Sequence, residues 1–314
     1  MSTSLIWANL KQKKENRENM MSENKFLKQI EQQVLVADGA TGTNLQKRGL
    51  PKGMPSDLWV FDAPNEIIQL HRDFIAAGSN IILTDTFGGT RVRLAKSGLD
   101  NRVIELNQTA VGLARKAAEG TATWVAGSIG PTGELLKPNG LLDEADARAA
   151  FVEQARTLVD AGVDLLVVET QFDLAEAHIA VEAVRSVSST IPLVCSFSFD
   201  RGTRTMMGVK PAQLSAELEA LGVNLLGINC GRSLPDNLKA LQELWTTTQL
   251  PSWFKPNAGL PRANEYGESI YDITPDEMGS HVQEWIKNGA AVVGGCCGTS
   301  PEHLHQIAVH AKKE

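Results

Sequence analysis

A chain of 314 residues with 42% hydrophobic content can build one large α/β domain or two small ones. No apolar run approaches the roughly 18 residues of a membrane span, and the polar opening MSTSLIWANLKQKKENRENMMSENK has too short an apolar stretch for a signal peptide. A net charge of −7 offers no footprint for nucleic acid. Four cysteines are too few for a disulfide scaffold, so a reducing cytoplasm is the expected compartment.

Residues 1–25 read as a polar N-terminal extension, with Met20 or Met21 as alternative starts, and residues 26–314 as a single domain. From there short β-branched runs alternate with amphipathic helical stretches. The runs are QVLVAD (33–38), NIILTD (80–85), TWVAGS (123–128), VDLLVVET (163–170), PLVCSFSF (192–199), NLLGIN (224–229), SWFKPN (252–257) and AVVGGC (291–296). Helical spacing of apolar residues with a glycine stop marks 64–78, 144–162 and 274–289. Continuous apolar runs, each followed by a helix, predict a parallel sheet. Eight such units are the number that closes a (β/α)₈ TIM barrel. An open doubly wound sheet would need a GxGxxG fingerprint after its first strand, and DGATGTNLQ does not have one.

In such a barrel the chemistry sits at the carboxyl ends of the strands. The residues closing the runs are Asp38, Asp85, Ser128, Glu169, Ser198, Cys230 after Asn229, Asn257, and the pair Cys296 and Cys297. Three of the four cysteines therefore fall on one rim. Strands six and eight are second neighbours, so Cys230 can meet Cys296 and Cys297. Three thiolates at one point make a soft-ligand site whose usual occupant is zinc, with a fourth position left open. Gly294, Gly295 and Gly298 would let both adjacent thiols turn inward. The alternatives are a vicinal disulfide or redox pair, and a Cys230 that is simply a small buried side chain. Cys195, inside the fifth run, reads as core. His71 and His178 lie in helical patterns, and His303 and His305 open the last helix.

The motifs DGATGT, TDTFGGTRVRL, GSIGPTG, VVET, GINCG, KPNAGLP and VGGCCGT, spread from about Val34 to Ala311, resemble those of the homocysteine S-methyltransferase family. The likeness is strongest to the homocysteine-binding barrel of cobalamin-dependent methionine synthase. The resemblance implies a (β/α)₈ barrel, zinc on Cys230, Cys296 and Cys297, and transfer of a methyl group to homocysteine to form methionine. It places the substrate ammonium at Glu169 with Asp38 close by. The substrate carboxylate goes to the backbone amides of Ala40, Thr41 and Gly42, and Ser128 is an additional donor.

Methyl donors of the onium type, betaine or S-methylmethionine, need recognition of a cation, as by aromatic faces. At the positions where betaine-using relatives carry such rings this sequence aligns Met54, Gly88 and Thr170, with Trp59 and Phe87 nearby. The expected donor is therefore methylcobalamin, reaching an open rim. The chain ends soon after its last helix, so the expectation is that a separate corrinoid protein carries the donor. Two other functions compete: a non-catalytic zinc or thiol docking subunit of a corrinoid system, and a dithiol redox protein using Cys296 and Cys297.

Overall fold

The computed structural model describes residues 24–263 and 269–312. The extension expected over residues 1–25, with Met20 and Met21, lies almost wholly outside the described residues. Eight parallel strands form one sheet: β1 (Leu35–Val36), β2 (Ile81–Leu83), β3 (Trp124–Ile129), β4 (Leu165–Gln171), β5 (Leu193–Phe197), β6 (Leu225–Cys230), β7 (Ser252–Pro256) and β8 (Ala290–Val293). Each strand from β2 to β8 pairs with its neighbour in sequence, and β8 pairs with β1. A parallel bridge from Ala37 to Ile81, with the Asn80 amide donating to the Val36 carbonyl at 2.6 Å, closes the seam between β1 and β2. The protein is a (β/α)₈ TIM barrel. Every expected run contains a strand. The first shrinks to two residues, because Gln33 caps the preceding helix and the chain bends away at Asp38.

The helices packed around the barrel include α2 (Thr41–Lys47), α3 (Pro64–Ala76), α4 (Val103–Ala118), α5 (Glu144–Asp160), α6 (Leu174–Val187), α7 (Pro211–Leu218), α8 (Leu234–Trp245), α9 (Pro275–Lys287) and α10 (Pro301–Ala311). A large apolar cluster fills the layer between them and the strands. Cys195 lies fully buried in this layer, and burial alone pushes its thiol far up, so it is an inert core residue.

The sequence reading missed helix α1 (Lys25–Gln32). Asn24 caps it by accepting from the amides of Phe26 and Leu27 at 2.9 and 3.2 Å. Phe26, Leu27 and Ile30 are buried together with the inward side chains Leu35, Ile81, Leu83, Ala126, Leu165, Val167, Val194, Leu225, Trp253 and Val292. Phe26 meets the edge of Trp124 with ring centroids 5.8 Å apart, and the indole of Trp124 donates to Gln29 at 2.8 Å. The helix seals the amino-terminal end of the barrel.

Side chains alternate along a strand, so the inward rows can be continued upward. Above Leu83 comes Asp85, above Ala126 Ser128, above Val167 Glu169, above Val194 Ser196, above Leu225 and Gly227 Asn229, and above Trp253 Lys255. One interior is thus apolar at the sealed end and polar at the open end.

Candidate metal and substrate site

Cys230 ends β6 in the left-handed region, with φ 56°, followed by Gly231 at φ 75°. A non-glycine residue there costs on the order of 1–3 kcal/mol. The turn is braced from three sides. Asn237 donates to the Cys230 carbonyl at 2.7 Å, Asn257 donates to the Gly231 carbonyl at 2.8 Å, and the Gly231 amide donates to Ser198 Oγ at 3.2 Å. Two of the strand-end residues picked from the sequence, Ser198 and Asn257, thus hold the thiol-bearing turn.

The loop carrying Cys296 and Cys297 hangs from the strands on either side. The Gly295 amide donates to the Asp38 carbonyl, the Cys296 amide to the Pro256 carbonyl, and the Ala258 amide to the Cys297 carbonyl, at 3.1, 2.9 and 3.0 Å. Thr299 Oγ fastens the Cys296 carbonyl at 2.7 Å. A Cβ on Gly295 would lie 2.4 Å from that Oγ, so only glycine fits.

Three thiols converge. Cys230 Sγ lies 2.9 Å from Cys296 Sγ and 4.0 Å from Cys297 Sγ, and the three sulfurs all lie within 4.8 Å of one another. Zinc bound by thiolates at about 2.3 Å sets tetrahedral sulfur–sulfur edges of about 3.8 Å. The soft donor set fits such an ion, with the Cys230–Cys297 pair near that edge and the Cys230–Cys296 pair inside it. Hydrogen bonds that Cys230 donates to its two neighbours, with burial, push its thiol well above its ordinary value. Cys297, accepting bonds from Cys230 and Cys296, is held well below. The trio thus accommodates one negative charge and resists more, a resistance a bound cation relieves. His303 stands apart: its ring accepts from the Ser300 amide and donates to the Ile273 carbonyl.

Beside the thiols, Glu169 is buried, and Ser128 Oγ donates to its Oε1 at 2.5 Å. Burial is the main cause that raises Glu169 to about 7; Lys255 opposes the rise and Cys296 adds to it. The next residue, Thr170, is also left-handed at φ 58°. Asn229 fastens it, accepting from its amide at 2.9 Å and donating to its hydroxyl at 2.7 Å. Asn229 also accepts from Ser196 Oγ at 2.6 Å. This one amide side chain locks the tips of β4, β5 and β6 together.

Several expected contacts change. Asp38 does not turn a free carboxylate to the mouth: its Oδ1 accepts from Lys255 Nζ at 2.6 Å and its Oδ2 from the Leu83 amide at 2.7 Å. The Ala40 amide is already given to Thr299, at 3.2 Å to its Oγ. The hydroxyl hydrogen of Ser128 is spent on Glu169. Thr41 and Gly42 open α2 and find no acceptor for their amides among the described residues.

Lys255 and Tyr271 were missed. Lys255 is buried to the same degree as Asp38, and alternation upward from Trp253 is the signal that would have found it. The Tyr271 ring packs on Gly298, 2.2 Å from where a Cβ would stand, and it lies close enough to the thiols to feel their charge. No sequence signal marks it.

A family model for homocysteine S-methyltransferase matches residues 35–311. The chain belongs to the homocysteine S-methyltransferase family. This family member is 30% identical over 302 residues to methionine synthase of Mycobacterium leprae, covering 90% of this chain and 25% of the relative. Against methionine synthase of Mycobacterium tuberculosis it is 30% identical over 298 residues, covering 89% and 25%. It thus spans about a quarter of the length of these curated relatives. The metallated homocysteine methyltransferase MmuM of Escherichia coli superposes with a TM-score of 0.75 at 27% identity, over 88% of this chain and 96% of that one. An oxidised form of MmuM superposes at 0.74.

Proposed function

We propose that this methyltransferase forms methionine from homocysteine, with zinc held by Cys230, Cys296 and Cys297 and methylcobalamin on a separate corrinoid protein as donor. The convergence of three buried thiols beside a buried carboxylate carries the reading. The chemistry that zinc supplies when bound is ionisation of a substrate thiol at neutral pH, where a free thiol near pKa 8.5 keeps its proton. The protein's residues do the rest. Glu169, held by Ser128, receives the substrate ammonium. Thr41 and Gly42 offer amides to its carboxylate. Asn229 keeps Thr170 and the Cys230 turn in register, so that the sulfur faces the barrel mouth. The sulfur lone pair then attacks the methyl carbon in line, and the donor leaves with the bonding electron pair.

The surroundings of the mouth support a large donor over a small onium ion. The face of Phe87 is covered by Arg93, whose guanidinium carbon stands 5.0 Å from the ring centroid. Met54 and Trp59 pack against the core between strands and helices. Gly88 and Thr170 bring no ring. The test is a parallel assay of homocysteine with methylcobalamin, betaine or S-methylmethionine, measuring methionine. Turnover with methylcobalamin alone is expected. Turnover with betaine or S-methylmethionine and none with methylcobalamin overturns the donor assignment.

A further inference from the structure

Lys255 is a charged amine inside a barrel. Its side chain is 4% exposed and that of Asp38, its ion-pair partner, 1%. An ammonium has three N–H donors. Among the described residues only Asp38 Oδ1 accepts from this one. Beneath it lies an apolar floor, the Trp253 ring, with Nζ 5.8 Å from the ring centroid. Glu169 and Cys296 both stand near enough to act on Lys255 through charge. The upper layer therefore forms one row of titratable groups, with two carboxyl groups, Asp38 and Glu169, about the ammonium of Lys255. The pair leaves two N–H donors of this desolvated cation available to a ligand.

We propose that Lys255 is a specificity-determining residue that takes the α-carboxylate of the substrate, while Glu169 takes its ammonium. This rests on the homocysteine reading of the thiol site and deepens it. A zwitterion laid across the row sets its negative end on Lys255 and its positive end on Glu169, with the thiol directed to the three cysteines. Asp38 then acts through Lys255: it holds the ammonium upright and ties it, through the Leu83 amide, to the seam between β1 and β2. The amides of Thr41 and Gly42 contribute dipoles on the same segment as Asp38; Lys255 contributes the full charge that dipoles lack.

The inference separates three thiols by what each lacks. Homocysteine carries both end groups, 3-aminopropane-1-thiol lacks the carboxylate, and 4-mercaptobutanoate lacks the amine. Calorimetric binding of each to the zinc-loaded protein is compared with Lys255→Met. Loss of a charge-assisted contact weakens binding about 10- to 100-fold. That loss is expected for homocysteine and 4-mercaptobutanoate, with 3-aminopropane-1-thiol unchanged. Removing Lys255 alone strands Asp38 and endangers folding. The double variant Asp38→Asn, Lys255→Met leaves no lone charge and is expected to show the same selectivity. Equal losses for all three thiols, or no loss for either carboxylate, overturn the assignment of Lys255 while leaving the homocysteine reading in place. If the unaltered protein binds none of the three, the homocysteine reading falls and this inference with it.

Discussion

The two ends of this barrel are built from the same strands and obey opposite rules. Below, Leu165, Val167, Trp253 and their neighbours close on Phe26, Leu27 and Ile30 of α1 in one apolar cluster. Further along five of the strands the same inward rows carry Ser128, Glu169, Ser196, Asn229 and Lys255, each paired to another side chain. The lower end gains stability by excluding water. The upper end gains geometry, because buried polar groups tolerate only arrangements in which they are satisfied. The left-handed Thr170 and Cys230 sit only in the upper end, where strain serves to aim a side chain.

The sharpest way to break the division is at the thiols. Changing Cys230, Cys296 or Cys297 to serine removes a thiolate at neutral pH. Zinc affinity should fall by more than the roughly 100-fold that loss of a supporting hydrogen bond costs at metal sites. Elemental analysis after chelator competition measures it, and full retention in all three variants ends the metal assignment.

At the sealed end, Phe26→Ala should lower unfolding free energy by about 3–5 kcal/mol, the cost of a large buried side chain. Zinc per folded chain should stay unchanged. A parallel fall in zinc would show that the two ends are not independent.

Glu169→Gln sharpens the upper end. Homocysteine binding should weaken by about 2–5 kcal/mol with zinc retained, since the ammonium loses its charged partner. Unchanged affinity in calorimetry removes Glu169 from the substrate site.

The smallest effect is a pH dependence. Burial raises Glu169 to about 7, so below that pH its carboxyl is neutral and no better than glutamine. The advantage of the unaltered protein over Glu169→Gln should be full above about pH 7 and fade as pH falls through it. A difference that stays constant from pH 5 to pH 8 contradicts this. The sign for stability is opposite. Between the ordinary carboxyl value and about 7 the folded chain keeps a proton that the unfolded chain has lost, so this group's contribution to stability declines as pH rises across that window.

Period and punctuation carry the strands, the order of the helices and the barrel's closure, because a run of apolar residues followed by a helix has few ways to bury itself. The same logic places Cys230, Cys296 and Cys297 on one rim, since parallel strands bring all their carboxyl ends to one side. It does not reach α1, whose eight residues are too short and too mixed to stand out. Nor does it say which polar groups pair with one another. Asp38 and Lys255 are 217 residues apart, and Ser128 and Glu169 are 41 apart. Local pattern sets which face a side chain takes, but only closure of the ring decides what stands opposite it. For a buried charge, what stands opposite decides whether it holds the fold or meets the substrate.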